Sequence, residues 1–236
     1  MYERQDSPAD LPIYAQVSEV LIREIAAGRL ADGQRLPPER QLAAAHQVTV
    51  RTLRKSLKIL EEKGLLERVQ GSGNYVRSNS EAQSIYSMFR IELLAGGGLP
   101  TAKFLDIRDC KKPVDLPTFG TSKRGTRMRR LRFLNKVPVA VEEIWLDADS
   151  GTVLPEHASD SLYRYYQVKL GFWITRAEDY VGIGQTPDWA PPEFGKAAGA
   201  TTGFIERLSW EQKAHPVEYS QTWFNTDTAR YVQRLK

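Results

Sequence analysis

The sequence predicts an α+β protein in two parts, and three observations carry that expectation. Three helical patterns follow one another from Pro12 to Leu60 and end in a hairpin turned by Gly71 and Gly73. A polar stretch without apolar periodicity runs from Arg77 to Gln83. Beyond Pro100 the pattern changes to six runs of strand type, interrupted by two helical ones.

The first helix spans Pro12 to Ala27, where Tyr14, Val17, Leu21 and Ile25 share one stripe and Gly28 supplies a stop. Pro38 opens the second, because a missing N–H costs nothing in a first turn, and Leu42, Ala43 and Ala45 give it a short packing face. Thr49 is the N-cap of the third. Val50, Leu53, Leu57 and Leu60 form its apolar stripe, so Arg51, Arg54, Lys55 and Lys58 fall on the other side. Gly64 ends it, and strands at Leu65 to Val69 and Asn74 to Val76 close the hairpin. Ile85, Met88, Phe89, Leu93 and Leu94 predict a helix over Ser84 to Ala95, stopped by Gly96, Gly97 and Gly98. Strands are expected at Ala102 to Ile107, Arg127 to Leu134, Val137 to Leu146, Trp173 to Ile183, Phe204 to Gln212 and Val217 to Asn225. Asn135-Lys136 and Ala214-His215 are connections short enough for antiparallel hairpins. Helices at Asp160 to Leu170 and Ala190 to Ala198 complete a domain on one mostly antiparallel sheet.

A length of 236 residues allows two domains, and 41% hydrophobic with 26% charged residues places them among ordinary globular chains rather than disordered ones. The net charge of +4 is modest, so its distribution decides more than its size. From Arg35 to Leu60 six cations (Arg35, Arg40, Arg51, Arg54, Lys55 and Lys58) stand against one acid, Glu39. Three helices with that charge on the outer face of the third, followed by a glycine-tipped hairpin, describe a winged helix-turn-helix that binds double-stranded DNA. Arg40, Arg51 and Arg54 are the candidate guanidinium contacts, to phosphate or to the O6/N7 edge of guanine, with Lys55 beside them. Thr49 and Thr52 add hydroxyls near a helix N-terminus, where the dipole favours anions. Gly71 and Gly73 let the hairpin tip approach a sugar-phosphate backbone.

One cysteine, Cys110, cannot form an internal disulfide, and no apolar run nears the roughly 20 residues of a membrane helix. With no signal-peptide pattern either, the expectation is a cytoplasmic protein without a membrane role. Three histidines and one cysteine predict no metal site, and the absence of P-loop, dinucleotide and nucleophile-elbow motifs predicts neither cofactor nor enzyme. Arg130 and Arg132 alternate on a strand and share a face. On the residues alone they suit either a wet sheet face or the wall of an anion cavity.

Tyr14-x-Gln16, Leu36-Pro-Pro-Glu-Arg40, Val48-Thr49 through Leu57, Glu62-Lys-Gly64-Leu65 and Gln70-Gly71-Ser-Gly73-Asn-Tyr75-Val76 together closely resemble the GntR family of bacterial transcription regulators. The remaining chain resembles the UTRA effector-binding domain of the HutC subfamily, through Arg130-Leu-Arg132, Pro138-Val139-Ala140 leading to Glu142, Ser161-Leu-Tyr163 and Pro216-Val217-Glu218-Tyr219-Ser220. The resemblance implies a winged helix-turn-helix domain over 8–78, a linker at 79–83, and an effector-binding and dimerisation domain over 84–236 with a fold related to chorismate lyase. It also implies a homodimer on a near-palindromic operator, a repressor more often than an activator, controlled by a small metabolite.

By that resemblance Arg130, Arg132, Glu142, Ser161, Tyr163 and Glu218 line the effector pocket. The arginines would meet an acidic group, Ser161 would donate, the two glutamates would accept, and Tyr163 would supply a flat wall. The effector is then a small anion of the class of acidic or phosphorylated sugar derivatives. Three departures matter. Val50 stands where relatives carry the arginine that opens the third helix, and Arg51 comes one position later, about 100° around the axis. Arg90, after Phe89, replaces a small hydroxyl residue, and Phe224 replaces a tyrosine, so a more cationic pocket with one hydrogen bond fewer is expected. The competing readings are a lyase-like enzyme and a constitutive DNA binder with no effector.

Overall fold

Residues 12–26, 28–77, 88–155 and 161–234 are described by the structure, a computed structural model. They divide into two units, 12–99 with 231–234, and 100–230.

In the first unit α1 (Ile13–Ala26), α2 (Glu39–Ala45) and α3 (Val50–Glu62) pack their apolar stripes into one core. Val17, Leu21, Ile25, Leu53, Leu57 and Leu60 are at most 1% exposed, each worth about 2 kcal/mol over an exposed side chain. Ser56 Oγ donates to Tyr14 O at 2.7 Å and ties α3 to α1. Gly64, at φ +69°, ends α3 as expected, and the Leu65 N–H closes on Leu60 O at 2.8 Å. β1 (Leu66–Val69) and β2 (Gly73–Val76) form the expected antiparallel wing, with Leu66 opposite Val76 and Val69 opposite Gly73.

The helix expected over 84–95 is corrected where it is described. Residues 84–87 lie outside the described residues, as does the expected linker at 79–83, and Ile91–Leu93 is a strand, β3. Tertiary partners override the helical spacing here. Glu92 is buried and held by Arg29 and by Arg234, whose Nη1 donates at 2.7 Å, and the Val232 N–H donates to Arg90 O. Gly96, Gly97 and Gly98 all take positive φ and turn the chain, with Gly96 N–H closing on Leu93 O. This segment therefore belongs with the first unit, whereas the sequence reading joined it to the second.

The second unit is a six-stranded antiparallel sheet in the order β4-β5-β6-β9-β8-β7, formed by β4 (Pro100–Lys111), β5 (Arg124–Leu134), β6 (Val137–Asp147), β7 (Arg176–Gln185), β8 (Thr201–Trp210) and β9 (Glu218–Phe224). All six expected strands are present. Asn135 and Lys136 turn the β5–β6 hairpin at φ +49° and +65°, the two left-handed positions of a type I′ turn. One sheet face buries Leu131 and Val141 under Phe194, and Trp145 and Tyr219 under Phe119. The opposite face is covered at one end by α4 (Leu162–Tyr165) and its continuation through Leu170, where Tyr165 and Tyr166 pack on Met128 and Ile144. The helix expected over 190–198 is only a single 3₁₀ turn, Pro192–Phe194. Pro191 and Pro192 lack the donors to extend it, and Gly195, at φ +76°, ends it.

Candidate DNA interface and effector site

The first surface is built on the N-terminal turn of α3. Thr49 is the N-cap, accepting the Thr52 N–H at 3.1 Å, and its hydroxyl lies 2.8 Å from that of Thr52. The N–H groups of a helix's first turn have no intrahelical partner and the dipole there favours anions, which makes this turn a ready phosphate seat. Because Leu53, Leu57 and Leu60 point into the core, Arg51, Arg54, Lys55 and Lys58 stand exposed in a row on the outside. Arg54 does not float: its Nε donates to Glu39 Oε2 at 2.7 Å, so the acid of α2 aims the guanidinium. Lys55 Nζ sits 5.5 Å from the Tyr14 ring centroid. Arg40 is exposed on the first turn of α2.

Gly71 (φ +75°) and Gly73 (φ +134°) form the wing tip. A Cβ on Gly73 would come within 3.0 Å of Arg35 Nε. Ser72 Oγ and the Tyr75 hydroxyl, 2.7 Å apart, hold the tip in shape. Arg40, Thr49, Arg51, Thr52, Arg54, Lys55, Gly71 and Gly73 thus all lie on the three elements that a winged helix presents. Sequence reasoning missed Glu39 as the partner of Arg54 and Arg35 as the cation beside the wing. The second was within reach, since Arg35 was already counted in the charge run.

The second site lies on the sheet face that α4 covers in part. Register places Arg130 beside Glu142 and Arg132 beside Ala140, then Glu142 beside Thr222, and Ser220 beside Arg207. Alternation puts all of them on one face. Arg130 and Arg132 are 6% and 4% exposed, yet they share one carboxylate. Arg130 donates to Glu142 Oε2 through Nη2 at 2.6 Å and Nε at 3.0 Å, and Arg132 Nε stands 3.9 Å from the same oxygen. Arg130 Nη1 is buried and has no hydrogen-bond acceptor among the described residues. Burial alone would raise the Glu142 carboxyl, but the two guanidinium charges outweigh it and hold it below the usual range.

Arg207 has its own counter-ion: Nε and Nη2 donate to the two Asp179 oxygens at 2.5 and 2.7 Å. Glu218, pushed upward by burial, accepts from Tyr166 Oη at 2.6 Å, Ser209 Oγ at 2.9 Å and Tyr163 Oη at 3.3 Å. The Tyr163 phenol is raised to about 12 by burial and then by the Glu218 charge, so it stays a donor at neutral pH. Ser161 caps α4, its Oγ accepting the Arg164 N–H at 3.4 Å. Phe224 is buried at the far end of the face, where a Cβ on Gly203 would overlap its ring.

Arg130, Arg132, Glu142, Ser161, Tyr163, Glu218 and Phe224 are therefore brought to one face of the second unit or to the helix over it. Phe89 and Arg90 are not. They belong to the first unit, where Arg23 lies over the Phe89 ring at 5.6 Å and Arg90 Nε donates to Gln233 Oε1 at 2.7 Å. The cause is β3, which with the Arg23–Phe89 contact holds the segment within the first unit. Sequence reasoning also missed Arg207, Asp179, Ser220 and Thr222 on the shared face. Their signal was period two: Arg207 and Ser209 alternate on β8 as Glu218, Ser220 and Thr222 do on β9. Among the described residues no cluster of His, Cys, Asp and Glu is arranged to hold a metal, and no helix is long and apolar enough to cross a membrane.

Comparison with known proteins agrees with this division of the chain. A model of the gntR family of bacterial regulatory proteins matches residues 13–76, and a model of the UTRA domain matches 96–230. The HTH-type transcriptional regulator SmoD of Agrobacterium fabrum is 53% identical over 227 residues, covering 96% of this chain and 97% of its own. The mannosyl-D-glycerate transport/metabolism system repressor MngR of Escherichia coli is 25% identical over 242 residues, covering 94% and 95%. The crystal structure of the possible regulator YydK of Bacillus subtilis superposes with a TM-score of 0.53 at 23% identity, covering 96% of this chain and all of the other, which supports the fold.

Proposed function

Because the chain belongs to the gntR family of bacterial regulatory proteins and carries a UTRA domain, a DNA-binding transcriptional regulator with an effector-binding half, we propose that it is a repressor released by a small anionic metabolite. Two copies bind a near-palindromic operator, one reading head per half-site. Arg51, Arg54, Lys55 and the Thr49 turn enter the major groove, Arg40 grips the flanking phosphates, and the Gly71–Gly73 tip follows the adjacent backbone. The second unit acts as a receptor rather than an enzyme.

One observation carries the choice of effector: Arg130 and Arg132 are buried side by side next to Glu142, and Arg130 Nη1 lacks an acceptor among the described residues. A buried guanidinium N–H without an acceptor is a donor that an anionic oxygen of a ligand can satisfy. Thr222, opposite Glu142, and Ser220, opposite Arg207, offer hydroxyls for a polyol. An acid-bearing sugar meets both requirements, and mannosyl-D-glycerate, in the name of the E. coli relative, is of that class.

Calorimetric titration tests this with sugar phosphates, sugar sulfates and sugar carboxylates, each beside its neutral parent. Binding of an acidic member with at least about 100-fold preference over its parent is expected, and its loss in Arg130→Ala. Preference for a neutral sugar, or equal binding by the variant, overturns the assignment. On the DNA side, selection from a random pool is expected to return an operator altered at the base pair that Val50 no longer reads. Recovery of the operator common to relatives with arginine there would count against this docking.

A further inference from the structure

The stretch between α1 and α2 is part of the wing. The Gly33 N–H donates to Val76 O, the Val76 N–H to Gln34 O and the Leu36 N–H to Asn74 O, each at 2.9 Å, and Arg35 pairs with Tyr75 in antiparallel sense. Residues 33–36 thus run beside β2 as a third strand. Alternation then sends Leu36 into the core, where it is 4% exposed, and turns Arg35 outward.

The Arg35 side chain is placed by the wing tip rather than by an ion pair. Its Nε, Nη2 and Cζ would lie 3.0, 3.5 and 3.7 Å from a Cβ on Gly73, so the guanidinium runs along backbone that glycine leaves bare. Arg54, Lys58, Arg68 and Arg77 of the same unit are answered by Glu39, Glu62, Glu61 and Glu67. Among the described residues no carboxylate pairs with Arg35. It borders a hollow of about 400 Å³ lined by Arg35, Pro38 and Glu39 on one side and by Arg68, Gly71 and Asn74 on the other. The Glu39 carboxylate is engaged there by Arg54 at 2.7 Å, and Glu61 holds Arg68 through Nε at 3.0 Å. Two guanidinium groups carried by different strands therefore meet at one open hollow, a fork that matches the paired oxygens of a phosphate.

We propose that this hollow seats one phosphodiester of the DNA backbone, gripped by Arg35 and Arg68. The seat rests on the docking given above, with α3 in the major groove and the wing tip on the adjacent backbone. It adds to that docking a contact without base information, which sets the register and tilt of the reading head while Arg51 and Arg54 meet the bases.

The probe for this seat is the duplex that the wild-type protein recovers from a random pool. Arg35→Ala removes an exposed side chain and is expected to keep the wild-type circular dichroism spectrum. It should bind the duplex roughly 10-fold more weakly, by the same factor for every single-base variant of it. The plot of log K against log salt should lose about 0.9 of its slope. A series of duplexes, each with one phosphate replaced by a neutral methylphosphonate, then locates the seat. At one position wild type should lose the same factor, and there Arg35→Ala and Arg68→Ala should lose nothing further. Unchanged binding by Arg35→Ala, a loss confined to variants of one base pair, or a further loss at every methylphosphonate position overturns the seat and leaves the docking of α3 standing. A wild-type protein that recovers no duplex overturns the docking itself.

Discussion

His46 ends α2 inside the first core, 7% exposed, and burial, followed by the charges of Arg29 and Arg23, lowers its pKa to about 4. The neutral ring is therefore what the fold holds. The unfolded chain takes up a proton near the ordinary value of 6.5, so stability is full above that pH and falls as the pH drops toward 4. Between pH 7.5 and 5 the loss from this one group is about 2 kcal/mol. His46→Gln should flatten the dependence by that amount in urea unfolding at the two pH values, and parallel curves for wild type and variant would show that His46 does not titrate as described. Glu142 poses the opposite case, a charge that must be kept. Glu142→Gln takes away the carboxylate to which the buried Arg130 donates, and removing one partner of such a pair costs about 3–5 kcal/mol, so the second unit should unfold at correspondingly lower denaturant. A loss under about 1 kcal/mol would mean that water reaches the arginines. Arg130 and Arg132 were legible in the sequence as a same-face pair because strand period is rigid. What they face was not, since Asp179 and Arg207 come from strands far along the chain and only the register of β7, β8, β9 and β6 brings them near.

At the scale of elements the hairpin between β5 and β6 shows how far turn chemistry decides. A two-residue connection requires left-handed backbone at both positions, and Asn135 tolerates it while Lys136, at φ +65°, does not do so freely. Lys136→Gly relieves about 1–2 kcal/mol of left-handed strain and gives back about 0.5–1 kcal/mol in the entropy of the unfolded chain. A net gain of about 0.5–1 kcal/mol is expected in chemical denaturation, and a loss would show that the Lys136 side chain contributes contacts of its own. The same hairpin was visible in the sequence because its signal is local. The three helices of the first unit and all six long strands were legible for the same reason, each having a period, a cap or a turn within its own span. Residues 88–95 were misread because Met88, Phe89, Leu93 and Leu94 keep helical spacing, while their conformation is decided by the ion pairs of Glu92 with Arg29 and Arg234. Arg90 followed the error: it belongs with the first unit and not with the sheet that carries the arginine pair.

On the scale of the whole molecule the apolar side chains fall into separate cores. The core of the first unit is drawn from residues 17–76, with Leu99 at its margin, and the clusters of the second unit come from residues 104–223. Each unit therefore has its own hydrophobic reason to fold, and each should lose its structure in a transition of its own. His46→Gln and Lys136→Gly are markers for the two, one in each unit. In scanning calorimetry at pH 5 the first should raise the transition of the DNA-binding unit and leave the other in place, because the buried ring no longer has a proton to refuse. The second should raise only the transition of the effector unit. The separation bears on regulation, because a ligand that binds the second unit stabilises that unit by mass action, through RT ln(1 + [L]/Kd), and moves the first only as far as the two are coupled. The bound anion of the calorimetric experiment, added at about 100 times its Kd, should raise the effector transition by the equivalent of about 2.7 kcal/mol. Any accompanying shift of the DNA-binding transition then measures the coupling free energy directly. If both markers displaced one shared transition, the units would unfold as a single cooperative body, and the account of a receptor acting on a separately folded reading head would have to be given up.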